Sequence, residues 1–185
     1  MKVAVLTATI PHRRDMLAEA VNSVVKQHSP GVEVEHLIST DHDQEGAGPL
    51  LNRMLGMTDA EYVMVLDDDD LIDRDHIATV VPHAHQADVI YSLPRVEGGE
   101  FTQYHEPFDP VQLARGRNVV SHTALMRAEM IRQVGGWAPV RHFDLDLFCR
   151  LEAAGAEFLQ LPTVTWTYRL HGSNWSHGTL QGAAS

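Results

Sequence analysis

Cysteine is nearly absent: Cys149 stands alone among 185 residues. A lone thiol excludes an internal disulfide and any zinc cluster built on cysteine, and its expected place is that of a small buried hydrophobe. Long apolar runs are missing too. None reaches the roughly 20 residues of a membrane-spanning helix. The start, Met1-Lys2 before Val3 to Leu6, is too short for the apolar part of a secretory leader. A soluble cytoplasmic protein is the expectation. Basic residues are scarce: 14 Lys and Arg face 25 Asp and Glu, for a formal net charge of -11. The densest basic pair is Arg13-Arg14, so nucleic acid and anionic membrane are disfavoured partners. Histidine is plentiful, at 12 residues, but no His-Glu-x-x-His arrangement occurs and most are expected at the surface.

What is present describes one α/β domain. The apolar fraction is 44%, and the length suits a single core rather than two. The domain is expected over residues 1–177, with 178–185 as a short flexible tail. Lys2 to Ala8 reads as a buried strand. Arg13 to Gln27 carries Leu17, Val21, Val24 and Val25 at helical spacing. Further strands are expected at 34–38, 62–66, 88–92 and 119–126, with late strands at 158–161 and 164–169 separated by Pro162. Helices are expected at 49–57, 74–83, 128–134 and 144–154, and a hairpin at Gly98-Gly99. Strands alternating with helices in the first half predict a mainly parallel sheet flanked by helices, and the later part reads as more mixed.

The most informative segment is Leu66-Asp67-Asp68-Asp69-Asp70, directly after a buried strand. Open α/β sheets bind ligands beyond the carboxyl ends of their strands. Four carboxylates there repel one another unless a cation sits among them, and hard oxygen ligands suit magnesium or manganese, which can grip a diphosphate. A solvated acidic turn is the plain alternative. Asp70 or Asp73 taken singly reads better as a helix cap.

Four segments together resemble the family 2 glycosyltransferases of the GT-A fold. They are Thr7 to Arg13 with the helix through Gln27, then Leu66 to Asp70, then Gly135-Gly136-Trp137 with Asp144-Leu145-Asp146-Leu147, and finally Tyr168-Arg169-Leu170-His171-Gly172-Ser173. The resemblance implies a metal-dependent, inverting transfer of a sugar from a nucleotide-sugar donor, a UDP-sugar first among the candidates, to an acceptor hydroxyl. It implies that Thr7, Thr9 and Asp41 border the nucleotide, that Asn52 helps hold it, and that Asp68 holds the ribose. Asp69 would ligate Mn2+ or Mg2+ with Asp67 in support, and His171 would join the metal or diphosphate. Asp144 would be the general base, with Asp146 or His122 next in line.

Two positions depart from the family pattern. Leu51 stands where an arginine often precedes Asn52, and Phe143 stands where a glutamate often precedes Asp144. A non-catalytic nucleotide-sugar-binding module therefore stays open beside the enzyme. A nucleotidyltransferase does too, although Gly46-x-Gly48 lacks the nearby lysine of a phosphate loop. No further domain or membrane helix follows in this sequence, which argues against a polysaccharide synthase. Trp137 and Trp175 could stack on sugar faces, but such aromatics are more often packing residues.

Overall fold

The first apolar run forms strand β1 (Lys2–Thr9). Val3 and Val5 pack in one hydrophobic layer, Ala4 and Leu6 in the other. Successive side chains of a strand point to opposite faces, so an unbroken apolar run marks a strand covered on both. The computed structural model describes residues 1–172 and 174. The chain continues through α1 (Arg14–Val25), β2 (Glu33–Thr40), α2 (Ala47–Met57), β3 (Tyr62–Val65), β4 (Leu71–Ile72) and α3 (His76–Val80). Then come β5 (Val89–Glu97), α4 (Pro110–Ala114), β6 (Leu125–Arg127), α5 (Ala128–Gln133), α6 (Phe143–Ala153) and β7 (Phe158–Arg169).

The seven strands form one sheet in the order β2-β1-β3-β6-β5-β7-β4. β1 pairs in parallel with β2 and β3, and β5 with β7. The β3–β6, β5–β6 and β4–β7 pairings are antiparallel. The parallel first half and mixed second half follow the expected division.

Several local expectations need correction. No hairpin forms at Gly98-Gly99. β5 instead runs in parallel beside β7, and the Leu170 N–H donates to Glu97 O at 2.8 Å. Gly98 adopts φ +85°, and a Cβ there would lie 2.1 Å from Leu170 O, so close backbone approach explains the glycine. β7 does not break at Pro162. Its register against β5 jumps from Leu161 to Val164, and an irregularity of this kind tolerates a residue without an N–H.

Residues 119–124 are largely buried but are not a strand. Their backbone is satisfied locally instead: Val120 N–H donates to Asn118 Oδ1 at 3.0 Å, and Thr123 N–H to Ser121 Oγ at 3.2 Å. Such short polar side chains compete with a sheet ladder. The helix expected over 74–83 is α3 followed by a 3-10 turn at Val81–His83. The turn at α4 has a sequence signal that went unread: Asp109 accepts the Val111 N–H at 2.8 Å with Pro110 behind it. Trp137 is core, at 2% exposed. Trp175 and the expected tail lie outside the described residues.

Candidate active site

β3 ends at Val65, and the turn that follows delivers Asp67 to Asp70 at the carboxyl end of the parallel half. The four carboxylates do not share one environment. Asp67 keeps 46% of its side chain in solvent, whereas Asp68 and Asp69 keep 4% and 9%, and Asp70 is fully buried.

Each buried acid is held by a specific partner. Asp68 accepts the Thr9 hydroxyl at 2.6 Å and Arg13 Nη1 at 2.8 Å. Asp69 Oδ2 accepts Arg13 Nη1 at 2.9 Å and Asn174 Nδ2 at 3.3 Å, and lies 3.1 Å from His171 Nε2. Asp70 Oδ1 accepts the Arg169 N–H at 2.8 Å, so Asp70 ties the turn to β7 and does not cap a helix. Asp73 pairs with Arg95 at 3.2 Å and likewise caps nothing. Arg169 also donates to the Asp69 carbonyl and pairs with Glu19.

His122 approaches from the buried 119–124 segment. Its Nε2 is 3.0 Å from Asp70 Oδ2 and 3.8 Å from Asp67 Oδ2. Among the described residues neither Asp70 Oδ2 nor His122 Nε2 finds a well-aligned hydrogen-bond partner, so the two meet as a close pair of groups. Burial opposes charge on this imidazole, but Asp67 and Asp70 outweigh it and raise its pKa to about 9. Burial pushes the Asp70 carboxyl up.

Asp144 sits in the first turn of α6. Its Oδ2 accepts Asn118 Nδ2 at 2.9 Å, and Oδ1 accepts the Leu145 N–H at 2.8 Å. The charge of Asp144 helps to raise the His122 pKa. With Asp67 and Asp70 it also disfavours ionisation of Tyr104, which burial already pushes well up. The Asp144 charge thus lies within electrostatic range of the same buried groups as the acid turn. Asp146 is elsewhere: it pairs with Arg150 along α6 at 2.6 Å.

The remaining candidates divide. Thr9 joins the acid turn through Asp68. Thr7, fully buried, contacts His36 Nε2 at 2.9 Å. Asp41 accepts the N–H groups of Glu45 and Gly46 at 3.0 and 2.9 Å and so organises the loop between β2 and α2. Asn52 is a clamp. It donates to Trp137 O at 2.7 Å and accepts the Trp137 N–H at 2.8 Å, so both ends of its amide are engaged within the protein. Cys149 is half-buried, and burial raises its thiol pKa.

The donor chemistry fits a divalent cation. Asp69 Oδ2 and His171 Nε2 converge, and ligand atoms of Asp67, Asp70 and His122 lie within 4.8 Å of one another. Carboxylate oxygens suit a hard divalent cation, and a neutral imidazole can join them. Arg13, Asn118, His122 and Arg169 are the parts of this site that sequence reading missed or undervalued. For Arg13 the available signal was a basic pair ahead of α1 in a chain with so few cations.

The model of glycosyl transferase family 2 matches residues 36–147, more than half of the chain and a span that includes the acid turn, His122 and Asp144. The chain belongs to glycosyl transferase family 2. It is 29% identical over 128 residues to the uncharacterized protein y4gI of Sinorhizobium fredii (strain NBRC 101917 / NGR234), covering 64% of this chain and 14% of that protein. S. aureus TarS 1-349 in complex with UDP-GlcNAc superposes with a TM-score of 0.77 at 16% identity, over 97% of this chain and 61% of that one. The Pyrobaculum calidifontis mannosyltransferase PcManGT in complex with GDP-Man and Mn2+ gives 0.71 at 16% identity, over 95% and 59%. These two neighbours place the family 2 domain in the GT-A fold. The chain spans about 60% of the length of these solved structures and a much smaller part of y4gI. Among the described residues no helix is long and apolar enough to cross a membrane.

Proposed function

We propose that this family 2 domain transfers a sugar, with inversion, from a nucleoside-diphosphate sugar to an acceptor hydroxyl. A UDP-sugar is the first candidate donor, and the reaction is placed in the cytoplasm. The observation that carries the reading is the acid turn at the end of β3, where Asp68 accepts the Thr9 hydroxyl and Asp69 lies against His171, in a chain of family 2. Asp144, 74 residues beyond Asp70 in the sequence, is held by Asn118 at 2.9 Å and supplies a second carboxylate for the acceptor side. Two of the similar structures hold UDP-GlcNAc and GDP-Man, which supports a nucleotide-sugar donor without choosing between bases.

In this reading Thr7, Thr9 and Asp41 border the nucleotide and Asp68 takes the ribose. Asn52 acts indirectly, by holding the Gly136-Trp137 turn. Asp69 and His171 would hold Mn2+ or Mg2+, with Asp67 in support. Such an ion would supply positive charge against the leaving diphosphate. Asp144 accepts the acceptor hydroxyl proton while that oxygen bonds to the anomeric carbon, and the carbon–oxygen bond to the diphosphate breaks. Asn118, donating to Asp144 Oδ2 at 2.9 Å, holds that carboxylate in place.

The test is calorimetry of UDP and GDP with and without Mn2+. One of them should bind the parent protein only in the presence of the metal, and Asp69→Asn should abolish that binding while the protein stays folded. Tight metal-free binding of the diphosphate would contradict the reading, as would unchanged metal dependence in the variant. A second reading, a binding module without turnover, gains from Phe143. Release of nucleoside diphosphate from a donor sugar separates the two.

A further inference from the structure

Resting on that reading, we infer that Arg13 is a donor-binding residue that exchanges partners, leaving the acid turn for the donor's diphosphate when a metal ion arrives. Arg13 Nη1 lies 2.8 Å from Asp68 Oδ1 and 2.9 Å from Asp69 Oδ2. His171 and Asn174 face the same Oδ2, and the Asp69 side chain keeps only 9% of its surface in solvent. A cation against a buried carboxylate favours its charged form, and here the guanidinium provides one.

A divalent ion held between Asp69 Oδ2 and His171 Nε2, now 3.1 Å apart, would share that oxygen with Arg13, and two cations on one oxygen repel. The guanidinium therefore has to turn away, and it has somewhere to go. Arg13 stands just ahead of α1, keeps 18% of its side chain in solvent, and belongs to the stretch Ile10 to Met16 that lines an open groove of about 500 Å3. A diphosphate brings its negative charge with the metal, and the planar guanidinium fork suits phosphate oxygens.

The consequence is a sign reversal that a purely structural salt bridge does not produce. Arg13 opposes binding of the metal alone and favours binding of the nucleotide with the metal. The experiment is calorimetry on the full chain and on Arg13→Gln and Arg13→Lys. The probes are Mn2+ alone, then UDP and GDP each at saturating Mn2+. Arg13→Gln should bind Mn2+ alone about tenfold more tightly and the nucleotide about tenfold more weakly, the scale of one charge-assisted contact. Arg13→Lys keeps the charge but loses the fork. It should move both affinities in the same directions by smaller factors, so the test stands even if the glutamine variant does not fold. Mn2+ binding that is unchanged or weaker in these variants overturns the inference, and so does nucleotide binding as tight as the parent's. If the parent itself binds neither UDP nor GDP with Mn2+, it is the proposed function that fails.

Discussion

His76 should make this protein acid-sensitive, by an amount its surroundings specify. It opens α3 with no solvent exposure. Its Nε2 faces the Thr123 carbonyl at 3.3 Å and its Nδ1 faces Thr165 Oγ1 at 2.7 Å, which in turn lies 2.5 Å from Ser92 Oγ. A carbonyl only accepts, so Nε2 carries the proton and Nδ1 accepts from the Thr165 hydroxyl. That is a satisfied neutral imidazole, and burial lowers its pKa from 6.5 to about 4. A base with a lowered folded pKa leaves the unfolded chain binding more protons between those values. Stability is then intact above pH 6.5 and is lost as pH falls towards 4. Between pH 7 and pH 5 the loss works out at about 2 kcal/mol. Urea unfolding of the parent and of His76→Gln at both values tests this. The variant still offers one donor and one acceptor but cannot titrate, so the parent should lose about 2 kcal/mol more than the variant over this interval. The difference isolates His76 from His36, which burial also lowers to about 4. Equal losses in the two proteins would refute the argument.

Asp144→Asn should slow release of nucleoside diphosphate at saturating donor and acceptor by on the order of a hundredfold or more, with Mn2+-dependent nucleotide binding nearly unchanged. Parent-like turnover would move the base elsewhere. Asp146→Asn should cost less than about 1 kcal/mol in a urea melt, because it removes only a half-exposed pair within α6. Gly136→Ala should cost roughly 2 to 4 kcal/mol in the same assay, from a strained φ and a broken clamp. Gly136 adopts φ +74°, and a Cβ would sit 2.2 Å from Asn52 Oδ1. A loss within about 0.5 kcal/mol, the range of ordinary surface changes, would mean that the Asn52 clamp carries little.

The first half of the fold was legible because its signals are local. β1, α1, β2, α2 and β3 each announce themselves by apolar period and by their bounding turns. The second half was less so. β7 pairs with β5 from some 70 residues away, and nothing near Gly98 or Pro162 states that partner. Residues 119–124 have the composition of a strand, yet Asn118 and Ser121 satisfy the backbone from their side chains and deny it a ladder.

The division is similar at the site. By itself the sequence determined that four carboxylates stand at the end of a buried strand, and that an acid opens a later helix, since adjacency and period are written in the chain. Only the tertiary structure decided what those carboxylates meet. It set Arg13 on Asp68 and Asp69, His122 against Asp70, and Asn118 on Asp144. It also turned Asn52 towards Trp137 and Asp41 towards its own loop. The physical reason is that charge pairing and burial depend on distance in space, and residues such as Asp69 and His171, 102 positions apart, become neighbours only when the sheet has closed.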